Sequence, residues 1–267
     1  MARHFKDGTA LVTGAASGIG RATAIVFARD GCLKLALGDL SIEGLEETKK
    51  IIQSKYPAAD VTVTKVDISD EEDVQEFHDE AIKSFGRIDF AANVAGYAHA
   101  ANKIVSIDSK MYDLSYRVNQ RGTFFCHRAQ LKQMLKQDIL EGFQCRGSIV
   151  SVTSLAAKGV IPFLSAYSAS KAGVLGLSKT DALDYGPDLI RVNCVAPGNT
   201  ETLMVYAAMG PEHMKANALA NPLRRNGQPE DVANAIVWLS SPMAGYVTGI
   251  QIPVDGGQNL FTGHGHG

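Results

Sequence analysis

The chain has 267 residues, of which 45% are hydrophobic and 20% charged, with a formal net charge of −2. This is an ordinary balance for a globular protein with ample core. With no basic block and a slightly negative charge, the sequence gives no case for a nucleic-acid partner. No apolar run reaches membrane-spanning length, and none follows the charged start Met1–Asp7. Neither a membrane contact nor a signal peptide is expected, and the expected location is cytoplasmic. The four cysteines, Cys32, Cys126, Cys145 and Cys194, lack metal-ligand spacing. They read as buried free thiols in a reducing compartment, and no metal site is expected.

In chain order, Gly8 to Thr13 is a short apolar strand. It runs into Gly14-Ala15-Ala16-Ser17-Gly18-Ile19-Gly20 and then into Arg21 to Arg29 at helical period. Strand, glycine turn and helix set bare backbone N–H groups and a helix N-terminus against a phosphate. The strand Leu33–Asp39 ends in an acid 19 positions after Gly20 (39 − 20), placed to accept hydrogen bonds from an adenosine ribose. A carboxylate there repels a 2′-phosphate, and no basic residue stands at Ser17, Leu40 or Ser41. This favours NAD over NADP, although Asp39 is also placed to cap the helix beginning near Ser41.

A helix follows over Ile42–Ser54, then a strand over Val61–Val66. Asp67-Ile68-Ser69 closes that strand, and the acids Asp70 to Asp73 open another helix with charges suited to its N-terminal dipole. Ile88–Asn93 is a strand leading into Val94-Ala95-Gly96. Ser106–Leu140 reads as helical, with Asn119 a poor helix former in its middle that either faces solvent or has a function. Strands follow at Ser148–Val152, Ile190–Val195 and Ile250–Val254. Helices begin near Ala166 and span Gln228–Leu239, and Leu203–Gly227 reads as long and irregular. Strands alternating with helices at this rhythm predict an α/β fold with a doubly wound parallel sheet and no second domain.

The chemistry centres on Ser151 to Lys171. Tyr167 and Lys171 are four apart at a helix start and share one face. A phenol titrates near pH ~10, too high for a base at neutral pH. An ammonium at roughly 4 Å, at an effective dielectric of about 20, favours phenolate by about 4 kcal/mol before screening. Ser154, at the preceding strand end, offers a hydroxyl to hold a substrate oxygen beside the phenol. This suits interconversion of an alcohol and a carbonyl, provided a hydride carrier is bound.

With these pieces in place, the sequence resembles the short-chain dehydrogenase/reductase family over essentially its full length. Thr13 to Gly20 matches T-G-x-x-x-G-x-G, and Asn93-Val94-Ala95-Gly96 matches N-x-A-G. Asn119, Ser154, Tyr167 and Lys171 fall on the catalytic tetrad. Pro197-Gly198 with Thr200 and Thr202 matches the nicotinamide-side loop, and Asp255-Gly256-Gly257 the terminal mark. The resemblance implies one Rossmann-type domain of about seven strands, a homotetramer (or homodimer), and a small-molecule alcohol or ketone as substrate. It implies Tyr167 as acid/base, Lys171 lowering its pKa and holding the ribose, Ser154 on the substrate oxygen, and Asn119 holding a relay water. It further assigns Gly14, Ser17, Gly18, Ile19 and Gly20 to the phosphates and Asp39 to the ribose. Asp67 and Ile68 go to the adenine, Asn93, Ala95 and Gly96 to the cofactor ribose, and Thr200 and Thr202 to the carboxamide or the phosphates, with Pro197 and Gly198 in the nicotinamide-side loop. The 203–227 segment is expected to be a substrate lid.

Leu155, Phe163, Leu164, Tyr97 and the methionines of the lid offer an apolar wall, so a hydrophobic, mid-sized substrate is expected. The same scaffold also hosts epimerases, dehydratases and cyclases without net redox turnover, and a nucleotide-sensing partner protein is a third reading. The tail histidines His264 and His266 read as a disordered end, and His99 as an exposed loop residue.

Overall fold

The computed structural model describes residues 5–159 and 161–260. The tail histidines His264 and His266 lie outside the described residues. Seven strands form one parallel sheet: β1 (Thr9–Thr13), β2 (Lys34–Asp39), β3 (Asp60–Lys65), β4 (Phe90–Asn93), β5 (Gly147–Val152), β6 (Ile190–Pro197) and β7 (Gln251–Val254). Their order is β3-β2-β1-β4-β5-β6-β7. Strands β1, β4 and β5 are buried along their whole length, as a parallel sheet covered on both faces requires.

Three helices cover one face: α1 (Gly18–Arg29), α2 (Ile42–Lys55) and α9 (Pro229–Ser240). Phe27, Leu45, Ile52, Val232 and Ile236 from these helices pack on Val12, Leu37 and Val150 of the sheet. The opposite face carries α3 (Glu71–Phe85), α5 (Thr123–Met134) and α6 (Ser165–Asp184). There Val74, Phe77, Phe125, Met134 and Ala182 pack on Leu11, Ala91 and Ile149. This is the Rossmann-like, doubly wound architecture expected from the alternation of elements. All four cysteines are buried and unpaired, as their sequence context predicts.

Two segments differ from expectation. The predicted Ser106–Leu140 helix is α4 (Ser109–Ser115), a π-helical turn over Tyr116–Gly122, and α5. Asn119 sits in that wide turn, which rotates its side chain inward, where it is fully buried. The segment read as irregular contains α7 (Leu203–Met209) and α8 (Pro211–Ala220). Thr202 caps α7, its hydroxyl accepting the Val205 N–H at 3.3 Å. Pro211 opens α8 at a position where a missing N–H costs nothing. The cap and the Gly210-Pro211 break were both readable, but the short apolar runs between them hid the helical period.

Phe90 is 1% exposed in the middle of an aromatic cluster, 4.9 Å from the Phe5 ring, 6.2 Å from Phe27 and 5.4 Å from Phe143. Phe90→Ala leaves a cavity costing about 3–5 kcal/mol and lowers the midpoint of thermal unfolding by roughly 10 °C. Leu183→Ala, on an exposed helix face, changes stability by less than about 0.5 kcal/mol. Calorimetry of the two variants checks both values.

Candidate active site

The strand order reverses direction between β1 and β4, so the chain leaves their carboxyl ends toward opposite faces and a crevice opens there. The β1 end is held open by Thr13, whose hydroxyl accepts the Val94 N–H at 3.1 Å and the Ala95 N–H at 3.3 Å. Gly14 follows with φ +71°, and a Cβ there would lie 2.8 Å from the Ala95 backbone. A Cβ on Gly20 would lie 1.9 Å from the Gly14 carbonyl oxygen. Only glycine lets the turn fold this tightly onto the neighbouring loop. Ser17 stands at the N-cap of α1 with no side-chain cap bond. The first amides of α1 therefore have no intrahelical partner, and Gly18, Ile19 and Gly20 line the cleft.

The cleft has a volume of about 1020 Å³, at the upper end of single-ligand sites, so it has room for more than one small molecule. Asp39 lies at one end, its carboxylate accepting the Ala16 N–H and the Ser41 N–H, each at 3.1 Å. Helix α2 is capped by Ser41 itself, through the Gly44 N–H at 3.1 Å. Asp39 therefore fastens the glycine turn to the start of α2. Arg21 also lines the cleft, but its guanidinium is engaged by Glu47 at 2.6 Å and by Thr48 at 3.0 Å. Asp67 and Ile68 line the same end. The Asp67 carboxylate accepts the Ser69 N–H at 2.8 Å.

Toward the other end the cleft is lined by Ala95, Gly96, Ser154, Tyr167, Lys171, Pro197, Gly198, Thr200 and Thr202. Ser154 sits just past β5, where its hydroxyl accepts the Ala156 N–H at 3.1 Å. Lys171 is 4% exposed, and its ammonium donates to the Val152 carbonyl at 2.8 Å. Burial pushes its pKa down to about 8, with the nearby Cys194 thiol opposing.

Here the expectation for the phenol is reversed. The Tyr167 hydroxyl lies above its usual range because burial disfavours phenolate, and the hydrogen bond with Ser154 offsets this only in part. The Lys171 ammonium is turned to a main-chain carbonyl and lies 5.9 Å from the Tyr167 ring centroid.

Two predicted site residues do not line the cleft. Asn93 is buried, and its amide forms a reciprocal pair with Gln130, at 3.0 and 2.8 Å. Asn119 accepts the Tyr97 N–H at 2.7 Å and donates to the Tyr97 carbonyl at 2.8 Å and the Ser170 hydroxyl at 2.9 Å. Its side chain is therefore committed to holding the loop after β4 against α6. The sequence assigns Ser170 no role, and it points to Tyr97 only as part of the apolar wall. Ser170 lies three residues after Tyr167, where helical spacing turns it toward the same side.

The expected apolar wall is present in part, from Leu155, Leu164, Tyr97, Met204 and Met209. Phe163 is not in it. Its φ of +69° belongs to a turn in which its carbonyl accepts the Asn102 N–H at 2.8 Å and its ring is half exposed. Ile161 and Pro162 line the cleft instead. His99 is buried rather than exposed, with Nδ1 2.8 Å from the Ala100 carbonyl. Among the described residues no cluster of His, Cys, Asp and Glu has metal-binding geometry, and no helix is long and apolar enough to cross a membrane.

Comparison with known proteins adds a family. A family profile described as enoyl-(acyl carrier protein) reductase matches residues 14–259. Levodione reductase of Leifsonia aquatica is 36% identical over 263 residues, covering 96% of each chain. A crystal structure of levodione reductase superposes with a TM-score of 0.91 at 35% identity, covering 96% of this chain and 99% of that one. A short-chain type dehydrogenase/reductase from Mycobacterium ulcerans gives a TM-score of 0.87 at 29% identity, covering 96% and 91%. The 3-ketoacyl-(acyl-carrier-protein) reductase from Brucella melitensis, complexed with NADH, gives 0.84 at 28% identity, covering 94% and 98%. With matches that run nearly end to end in both sequence and fold, this chain belongs to the short-chain dehydrogenase/reductase family of oxidoreductases.

Proposed function

We propose that the chain interconverts a secondary alcohol and a ketone with NAD(H), on a hydrophobic, mid-sized substrate, with Tyr167 as the acid/base. The observation that carries this reading is the convergence of Ser154, Tyr167 and Lys171 on one wall of a cleft whose other end holds the glycine turn and Asp39. The residues present fit a dinucleotide. The turn leaves no room for a Cβ at Gly14 or Gly20, the first amides of α1 are free for a pyrophosphate, and Asp39 is placed for a ribose. The Brucella melitensis relative binds NADH, which supports the same class of cofactor here.

The nicotinamide, when bound, supplies or accepts the hydride. The chain's own residues handle the oxygen and its proton. Ser154 Oγ donates a hydrogen bond to the carbonyl oxygen of the substrate. In reduction, Tyr167 Oη gives its proton to that oxygen, which becomes the hydroxyl, and oxidation runs the same transfer backward. A phenol held above its usual pKa is fully protonated at neutral pH, which favours the direction that consumes a proton. The phenolate left behind is stabilised by the Lys171 ammonium. Asn119 holds the loop carrying Gly96 and Tyr97 against α6. Leu155, Ile161, Pro162, Leu164, Met204 and Met209 exclude water from the oxygen and accept the apolar body of the substrate. Helices α7 and α8 are the proposed lid.

Three outcomes test the proposal. In a spectrophotometric assay of NADH oxidation against a panel of cyclic and aliphatic ketones, Tyr167→Phe lowers kcat at least about 100-fold while NADH binding is retained. NADH binding without turnover of any ketone would instead favour the non-redox or sensing readings. The pH dependence follows from Lys171. Its pKa is depressed to about 8, so its charge is present below that value and lost as pH rises through it. The rate of ketone reduction is therefore level from pH 6 to 7 and falls along a limb near pH 8, and Lys171→Met abolishes that limb. Finally, Asp39→Ala combined with Leu40→Arg raises the NADPH-to-NADH ratio of kcat/KM by about tenfold or more, the equivalent of at least about 1.4 kcal/mol. An unchanged ratio would show that Asp39 does not read the ribose.

A further inference from the structure

Behind the cleft, on the α5–α6 side of the sheet, lies a chain of buried polar groups that the proposed chemistry does not use. His127 on α5 has Nδ1 2.6 Å from Asp181 Oδ2 on α6 and Nε2 2.7 Å from Ser151 Oγ on β5. The His127 side chain is 1% exposed and that of Asp181 13%. The carboxylate accepts, so Nδ1 carries a proton, and Nε2 shares a hydrogen bond with the Ser151 hydroxyl. Ser151 Oγ in turn accepts the Asn93 amide at 3.4 Å, and Asn93 is paired with Gln130. Every member has a partner, and the chain crosses four elements: α6, α5, β5 and β4.

The arrangement of an acid, an imidazole and a serine hydroxyl resembles a nucleophilic triad, but Ser151 is fully buried and has no access to substrate. Its position suggests another role. Ser151 lies three residues before Ser154 and pairs in register with Asn93, which leads into Ala95 and Gly96. Asp181 shares α6 with Tyr167 and Lys171. Near its start, α6 is tied down by the Lys171–Val152 and Asn119–Ser170 bonds. Ten residues on from Lys171, about 15 Å along the helix, the Asp181–His127–Ser151 chain ties it to the same strand. Polar bonds thus link α6 to β5 at two separated points, beside its apolar packing through Ala182. Two such points constrain the direction of its axis more closely than one.

We infer that His127 and Asp181 are positioning residues: with Ser151 they fix the axis of α6 on β5 and so set Tyr167 against Ser154. The inference rests on the proposed role of Tyr167 and Ser154, but its first test does not use activity. Asp181→Leu leaves the Nδ1–H of His127 buried without an acceptor and lowers the melting temperature by roughly 5 °C. Asp181→Asn keeps an acceptor and retains the wild-type melting temperature. The combined variant Ser151→Ala/His127→Leu/Asp181→Leu removes all three polar groups together and recovers the melting temperature.

Hydrogen exchange over residues 165–172 then separates positioning from simple stability. In the combined variant, amide protection there stays at least about tenfold below wild type although global stability is restored. Ketone reduction falls about tenfold or more in kcat with KM for NADH unchanged. Recovery of wild-type protection in the combined variant overturns the inference, whatever the turnover. If protection falls as expected and wild type turns over no ketone, the functional reading fails alone.

Discussion

In a parallel sheet every strand presents its carboxyl end at one edge, and the remaining features of this protein follow from that constraint. The order β3-β2-β1-β4-β5-β6-β7 reverses direction between β1 and β4, so the loops there diverge and leave a crevice no side chain can fill. The glycine turn after β1, Asp39 at the end of β2, Gly96 after β4, Ser154 after β5 and Pro197-Gly198 at the end of β6 all arrive at this edge. None of them is close to the others in sequence. They meet because the strands pair in register, with Thr13 opposite both Gly38 and Asn93.

Burial governs the electrostatics of the proposed catalytic wall. Phenol and ammonium are both enclosed, and each is driven toward its neutral form, Tyr167 upward and Lys171 down to about 8. At neutral pH the pair is a protonated acid beside a cation that remains mostly charged. The ammonium donates a hydrogen bond to the Val152 carbonyl at 2.8 Å, which replaces part of the lost hydration. In the proposed reaction, a protonated phenol beside a nearby cation suits donation of a proton better than a pre-formed phenolate would.

Polar side chains that looked available for ligands are in several cases committed to holding the frame. Asn93 pairs with Gln130, and Asn119 bridges Tyr97 and Ser170. In an interior of low dielectric such amides are costly to leave unpaired and rigid once satisfied. Groups so committed hold the loops after β4 and around α6 in place, and a frame already ordered reduces the ordering cost of binding.

Much of the fold and part of the site were legible in the sequence alone. The alternation of strands and helices, the glycine turn, the acid ending β2 and the four-residue spacing of Tyr167 and Lys171 all depend on neighbours within a turn or a strand. Backbone conformation, side-chain period and turn chemistry act at that range. What only the tertiary structure decided depends on partners far apart in the chain. Asn93 meets Gln130 across 37 residues and His127 meets Asp181 across 54. The π-helical turn that buries Asn119, the outward turn of Phe163 and the enclosure of His99 likewise depend on how loops stack over the sheet. Propensity and periodicity carry no record of which loop lies above which, and so the direction of the Tyr167 shift could not be read before the cleft was seen. The sequence by itself determined which residues reach the carboxyl edge of the sheet; the packing decided which of them face the crevice and which brace it, because burial and hydrogen-bond supply are properties of the assembled interior.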